Sequence, residues 1–304
     1  MKISAPGIYD IPIDAYHGDC CAGPSISASG LKEILECPAK YWAFSPLNPH
    51  RYEDESTKAL DIGKAAHALV LGEPNFNAHF IVSPHDEFRT KEAREWRDAQ
   101  SRTVLKEKDF EAVTAMARAQ RESAAVMMAF ENGKPEQSLI WKDAETGVWL
   151  KSRPDWLPDD PSGRFICDYK TALTIEPRKL SADAFKFGYH IQAALQWDAV
   201  AELCGCARPL GIAHVVQEKD RPYLADLRMF TPEQLDYGRL LYRKALRIFA
   251  ECLSSGKWPA YTNEPQYFWT PAWVAKEMEN EDGSDGYTGT PASRYSAADY
   301  FGTL

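Results

Sequence analysis

Five places in the chain carry side chains that suit polar catalysis. They are His67, Glu136, Asp155, the triplet Asp168-Tyr169-Lys170 and Gln192. The triplet follows Phe165-Ile166-Cys167, an apolar run that reads as a strand. Residues two apart in a strand share a face, roughly 6.6 Å apart. Asp168 and Lys170 therefore point the same way with Ile166, while Phe165, Cys167 and Tyr169 face the other side. A carboxylate and an amine on a buried strand are costly unless something pairs with them. A second carboxylate, Asp155, stands thirteen positions earlier and makes a divalent metal the natural partner. Asp and Glu oxygens with one imidazole suit Mg²⁺ or Mn²⁺. Such an ion generates hydroxide and stabilises a transferring phosphoryl group. A Lys beside it orients the attacking water or neutralises developing charge.

The elements that must position these residues follow from pattern. Ser29 is read as the N-cap of a helix through Leu31, Ile34 and Leu35. Residues 61–71 read as a helix capped by Asp61 and ended by Gly72 and Pro74, and Phe76–Val82 as a strand. Residues 87–130 are helical with mixed charge, nine basic and eight acidic from Asp86 to Arg121, which fits a solvated helical pair. Ser138–Lys142 and Val148–Ser152 read as a hairpin turned at residues 143–147, followed by a strand at Phe165–Tyr169. Residues 189–203 read as an amphipathic helix carrying Gln192, and Gly211–Gln217 with Tyr223–Met229 as another strand pair. Thr231 caps a long helix whose apolar stripe is Leu235, Leu240, Leu241, Ile248 and Phe249. This order predicts an α/β (α+β) fold with a central mixed β-sheet flanked by helices. One domain is expected over 1–257, with a core at about 25–230 and a helical insertion at about 87–130. Residues 258–304 read as a C-terminal extension with an acidic tail, partly disordered after Glu279.

Composition sets looser bounds. The chain has 304 residues, 44% hydrophobic and 26% charged, ordinary for a globular protein. No apolar run approaches the ~20 residues of a membrane span, and Met1–Tyr16 has no export-signal core, so a cytoplasmic protein without membrane contact is expected. Seven cysteines without a CxxC pair read as reduced thiols rather than as an iron–sulfur ligand set. The net charge of −9 argues by itself against nucleic acid. However, residues 258–304 hold two basic and seven acidic side chains, leaving about −4 for the first 257, and carboxylates gathered at a metal would add to the count without repelling DNA.

Taken in order, SISASGLKEILECPAKYW, GKAAHALVLGEP, EQSLIWKDAETGVWLKSRPDWL, ICDYKT and YHIQAALQWD resemble the PD-(D/E)xK nuclease superfamily in its RecB-like branch. They come nearest to the phage-type exodeoxyribonuclease VIII (RecE) family. The resemblance spans residues 25 to about 200 and rests on the ordered set, since D-x-K alone is common. It implies a restriction-endonuclease-like PD-(D/E)xK core. It also implies that His67, Asp155 and Asp168 are metal ligands with the Tyr169 carbonyl as a fourth, and that Lys170 activates the water. Gln192 would orient the site or touch the DNA backbone, and Glu136 would assist the metal directly or through water. The branch usually has Tyr four residues after that Gln; this chain departs from it with Gln196, followed by Trp197, on a helix facing the same way, which puts the DNA contact made by that Tyr in question. The implied activity is a Mg²⁺-dependent exodeoxyribonuclease, with Mn²⁺ substituting. It would digest double-stranded DNA 5′ to 3′ for recombination, leave 3′ single strands, form a tetrameric homo-oligomer and work with a single-strand annealing protein. The alternatives are a nuclease of other polarity, an endonuclease, and an inactive DNA-binding or scaffold module.

Each residue also has a plainer reading. A lone His in an Ala-rich helix is ordinarily packed or capping, Asp155 after Pro154 suits a turn, and Glu136 beside Pro135 is the weakest member. Asp168 and Lys170 would be a surface pair only on an exposed strand, which Phe165 and Ile166 argue against. His190 reads as structural, and the Trp and Tyr residues of 258–273 as core or oligomer contacts rather than base-stacking platforms.

Overall fold

The computed structural model describes residues 2–52, 58–206, 209–262 and 267–285, and it divides the expected central sheet into two. The strands are β1 (Gly7–Tyr9), β2 (Ser25–Ser27), β3 (Phe80–Val82), β4 (Thr103–Leu105), β5 (Gly133–Pro135), β6 (Ser138–Lys142), β7 (Trp149–Ser152), β8 (Trp156–Pro158), β9 (Ile166–Ala172), β10 (Ile212–Glu218) and β11 (Ala225–Met229). One mixed sheet has the order β1-β6-β7-β2, a second β11-β10-β9-β8-β5, and β3 with β4 forms a parallel pair. The break between the main sheets falls after β7, at Arg153-Pro154-Asp155. Pro154 has no N–H to give a ladder, so the chain leaves the first sheet and enters the second at β8. Asp155 thus stands at a junction of sheets, not at the end of a strand.

The helices are α1 (Ile13–His17), α2 (Ala28–Glu36), α3 (Pro38–Phe44), α4 (Lys58–Val70), α5 (Glu73–His79), α6 (Lys91–Asp98), α7 (Glu107–Arg121), α8 (Ala124–Ala129), α9 (Pro177–Lys186), α10 (Tyr189–Leu203), α11 (Pro232–Ser255) and α12 (Ala272–Asp285). β9 and β10 pair in parallel, and apolar clusters cover both faces. Ile166 and Ile212 pack with α2, α10 and α11; Tyr169 and Val215 pack with α4, α7 and α8. The result is a restriction-endonuclease-like α/β core. α10 is not amphipathic: His190, Ile191, Ala193 to Gln196, Ala199 and Val200 are all buried, because sheet and helices enclose it.

Several local expectations change. Phe76–Val82 is mostly helix; Pro74 sits in the first turn of α5, where its missing N–H costs nothing, and only Phe80–Val82 is strand. The 87–130 stretch is not a solvated pair, since Val113, Met116, Ala117 and Gln120 of α7 are buried. α2 begins at Ala28 with Ser27, not Ser29, at the cap position, and α4 begins at Lys58, which puts Asp61 inside it. On α11, Thr231 is the expected N-cap and forms a capping box with Gln234, but Leu240 is exposed and the buried face runs through Tyr242, Ala245, Leu246 and Phe249. Met1–Trp258 and Pro259–Leu304 are two compact units. Most of the tail expected to be disordered, residues 286–304, lies outside the described residues; Ala272–Asp285 before it is helical.

Candidate active site

β9 delivers Asp168 and Lys170 to one face, and α10 lies across them. Asp168 is 1% exposed. Lys170 Nζ donates to its Oδ2, while Gln192 Nε2 at 2.8 Å and Gln196 Nε2 at 3.3 Å donate to its Oδ1. Gln192 and Gln196 are one helical turn apart, so both amides reach the same oxygen. Burial alone would raise the pKa of Asp168, but the Lys170 ammonium and the surrounding donors outweigh it and hold the group below the usual carboxylate value. Burial would likewise lower the pKa of Lys170, and the charges of Asp168 and Asp155 raise it instead. The pair is therefore ionised at neutral pH.

Asp155 closes the site from the sheet junction. Its Oδ2 accepts the backbone N–H of Tyr169 at 2.6 Å, and its Oδ1 lies 3.0 Å from His67 Nε2. That His67 nitrogen is buried, and the Asp155 carboxylate is its charge partner. On the other side of the ring, Nδ1 lies 3.7 Å from Glu136 Oε1. Burial would lower the pKa of His67, but Asp155, Glu136 and Asp168 together raise it above 6.5. Glu136 has a φ of +51°, a left-handed conformation uncommon outside glycine. Its N–H donates to the Asp155 carbonyl at 3.1 Å, and its Oε2 accepts from Arg153 Nη2 at 2.8 Å.

The structure thus brings His67, Asp155 and Glu136 together, and Asp168, Lys170 and Gln192 beside them, with Tyr169 joining the two groups through its N–H. It does not gather the five expected ligands around one point. Among the described residues no three His, Cys, Asp or Glu side chains form a ready metal cage. Asp168 is turned to Lys170 and the two amides, and Glu136 to Arg153. Even so, the donor set fits a hard divalent cation: a buried imidazole nitrogen faces a carboxylate oxygen at 3.0 Å, and a second carboxylate, Asp168, lies on β9. The cleft there has a volume of about 540 Å³ and is lined by Lys64, His67, Asp155, Tyr169, Lys170 and Lys219.

Sequence reasoning missed Lys64 and Lys219 as cleft residues, and Arg153 as the partner of Glu136. Lys64 stands three positions before His67 on the same helix, a spacing that places them on one face. Lys219 follows β10 and reaches the cleft only through the parallel pairing of β10 with β9, which no local pattern announces. Gln196, noted as a departure, is 1% exposed beneath Asp168 and faces no ligand surface. Behind β9, the Tyr169 hydroxyl donates to Gln217 Oε1 at 2.7 Å, and Gln120 Nε2 donates to the same oxygen at 2.7 Å. Gln217 Nε2 donates to the carbonyls of Met116 and Tyr223, both at 2.9 Å, which completes a buried network.

A family described as a PDDEXK-like domain of unknown function (DUF3799) matches residues 27–271. No curated protein matches the chain in sequence. Among solved structures, one described as a "Putative exonuclease" from Eubacterium rectale aligns with a TM-score of 0.59 at 14% identity, over 89% of this chain and 98% of that one. At that identity the likeness speaks for the fold.

Proposed function

The chain belongs to this PDDEXK-like family, within the PD-(D/E)xK superfamily, and on that premise we propose that it is a divalent-metal-dependent deoxyribonuclease that digests duplex DNA from its ends. The observation that carries the reading is Lys170, ion-paired to the buried Asp168 and lining one cleft with His67 and Asp155. His67 Nε2, Asp155, Asp168 and the Tyr169 carbonyl would hold Mg²⁺, with Mn²⁺ able to substitute. The ion supplies a water of lowered pKa and a Lewis acid for the phosphoryl oxygens.

The side chains do the rest. Lys170 holds the attacking water in line and offsets the negative charge that builds on the phosphorus oxygens. Gln192 and Gln196 fix Asp168, and Glu136, anchored by Arg153, faces His67 Nδ1 and orients the ring, as carboxylates behind ligating histidines commonly do. Lys64 and Lys219 at the cleft meet backbone phosphates. The finer reading adds 5′-to-3′ digestion leaving 3′ single strands for recombination, a tetramer, and an annealing protein as partner. It rests on the sequence resemblance to the exodeoxyribonuclease VIII family alone; the structural neighbour, described as an exonuclease, supports digestion from the ends and nothing finer.

Linear and covalently closed duplexes, incubated with the protein and Mg²⁺ or Mn²⁺, test this. Loss of linear DNA alone, with the 5′ label released first, is expected. Cutting of the closed circle would replace the exonuclease reading with an endonuclease one, and intact DNA in both forms would overturn it.

A further inference from the structure

A row of polar side chains runs outward from Asp168 across the sheet. Asp168 on β9 is in register with His214 on β10, which is in register with Arg228 on β11. Residues in register share a face. Where α9 covers that face, a cavity of about 120 Å³ remains, lined by Phe185, Tyr189, His214, Arg228, Phe230 and Gln234 among others. His214 is 2% exposed and its Nε2 has no hydrogen-bond partner. Arg228 Nε is buried and unpartnered too, while its Nη2 pairs with Asp226 at 2.6 Å. Buried polar atoms without partners are uncommon in folded proteins.

The walls are aromatic. Tyr189 stacks on His214 with centroids 5.7 Å apart and planes within 5°. Phe230 meets His214 edge-on at 5.4 Å, and Phe185 meets Phe230 edge-on at 5.8 Å. Lys170 Nζ lies 5.5 Å over the opposite partner of this stack, the Tyr189 ring, so Tyr189 is shared by the catalytic lysine and the cavity. An anion is a poor occupant, because the lining Arg228 is already paired with Asp226 and Asp168 heads the row. A flat group with hydrogen-bonding edges suits the walls and the two unpartnered nitrogens. A cavity of about 120 Å³ is of the order that takes a single ring.

We propose that this cavity is a nucleobase pocket that takes the base of a terminal nucleotide of the DNA being digested. The proposal rests on the nuclease reading above. A duplex end is where unpairing a base costs least, and stacking on aromatic rings is sequence-tolerant. The pocket would hold the end in register with Lys170.

The test uses the full chain and blunt duplexes carrying 2-aminopurine at the last nucleotide of either strand or at an interior site, with Ca²⁺ in place of Mg²⁺. Wild-type protein should quench the terminal probe on one strand and leave the interior probe unchanged. Ser181→Phe and Ala184→Phe fill the cavity from α9 without touching β9. They should abolish the quench and slow Mg²⁺-started digestion about ten-fold, and an abasic terminal nucleotide should slow the wild type to the same extent. No quench by the wild type, or equal quench and rate in both filled variants, would overturn the pocket. Digestion without quench overturns the pocket and leaves the nuclease; quench without digestion overturns the nuclease and leaves the pocket.

Discussion

The side chain of Asp155 accepts the backbone N–H of Tyr169 at 2.6 Å, so the residue between the two sheets is tied to the residue between Asp168 and Lys170. β8 and β9 share only the pair Trp156↔Cys167, and this bond extends their contact by a side chain where Pro154 ends the ladder. Geometry and charge separate at this position. Asp155→Asn keeps an acceptor and should leave unfolding stability within about 1 kcal/mol, yet lower the digestion rate at least ~100-fold. Asp155→Ala also loses the bond and should cost about 1–3 kcal/mol more. Urea unfolding alongside rate measurement checks both.

Asp168 is held by two amides of unequal standing. Gln192 donates at 2.8 Å and Gln196 at 3.3 Å, and Gln196 Oε1 is buried with no partner. Replacing Gln196 with Leu removes an unsatisfied atom together with a weak bond, so stability should change by less than about 1 kcal/mol. Gln192→Leu should lower kcat about ten-fold, more than Gln196→Leu does, with KM for DNA nearly unchanged in both. A larger kcat loss in Gln196→Leu would show that the deeper amide is the one that orients Asp168.

His67 should make metal binding depend on pH. Its pKa is raised above 6.5 in the metal-free protein, so at acid pH the ring keeps the proton that a ligating Nε2 must give up. Affinity for Mn²⁺, followed by calorimetry, should fall about ten-fold per pH unit below that raised value, with proton release visible as a buffer-dependent heat. The sign reverses for metal-free stability. A raised folded pKa contributes stability that is fully present below 6.5 and is lost as pH rises through the folded value. In EDTA the advantage of wild type over His67→Gln should therefore shrink with rising pH.

Gln217, 0% exposed, joins α7 and the Tyr223 turn to the back of the catalytic strand through four hydrogen bonds. Gln217→Leu would leave the Tyr169 hydroxyl, the Gln120 amide and the Tyr223 carbonyl without this partner, while the Met116 carbonyl keeps its bond in the α7 ladder. A loss of about 2–4 kcal/mol in urea unfolding is expected, with a fall in activity as Tyr169 loosens between Asp168 and Lys170.

The parts legible in the sequence were those whose signal is local. The hairpin of β6 and β7, the strand β9, the helix α10 and the Thr231-capped α11 follow from alternation, turn residues and capping chemistry. Asp168 and Lys170 could be placed on one face because a strand has period two. Three-residue strands such as β1, β2 and β5 exist only because distant partners pair with them, and their own residues carry little pattern. α9 was missed although Glu176 caps it through the N–H groups of Arg178 and Lys179, since Pro177 reads equally well as a breaker. In the site, Arg153 holding Glu136, and His214 beside Asp168, are products of strand register and sheet junction. They are contacts across many intervening residues that no window of sequence contains.

The central claim is that Asp168 and Lys170 form the catalytic edge of a metal-dependent DNA hydrolase. Its most direct test is a digestion time course of end-labelled linear duplex with Mg²⁺, comparing wild type with Asp168→Ala and Lys170→Ala, each shown to be folded by circular dichroism. Wild type should release labelled nucleotides steadily while both variants fall at least ~100-fold. Folded variants that digest DNA at the wild-type rate would contradict the account.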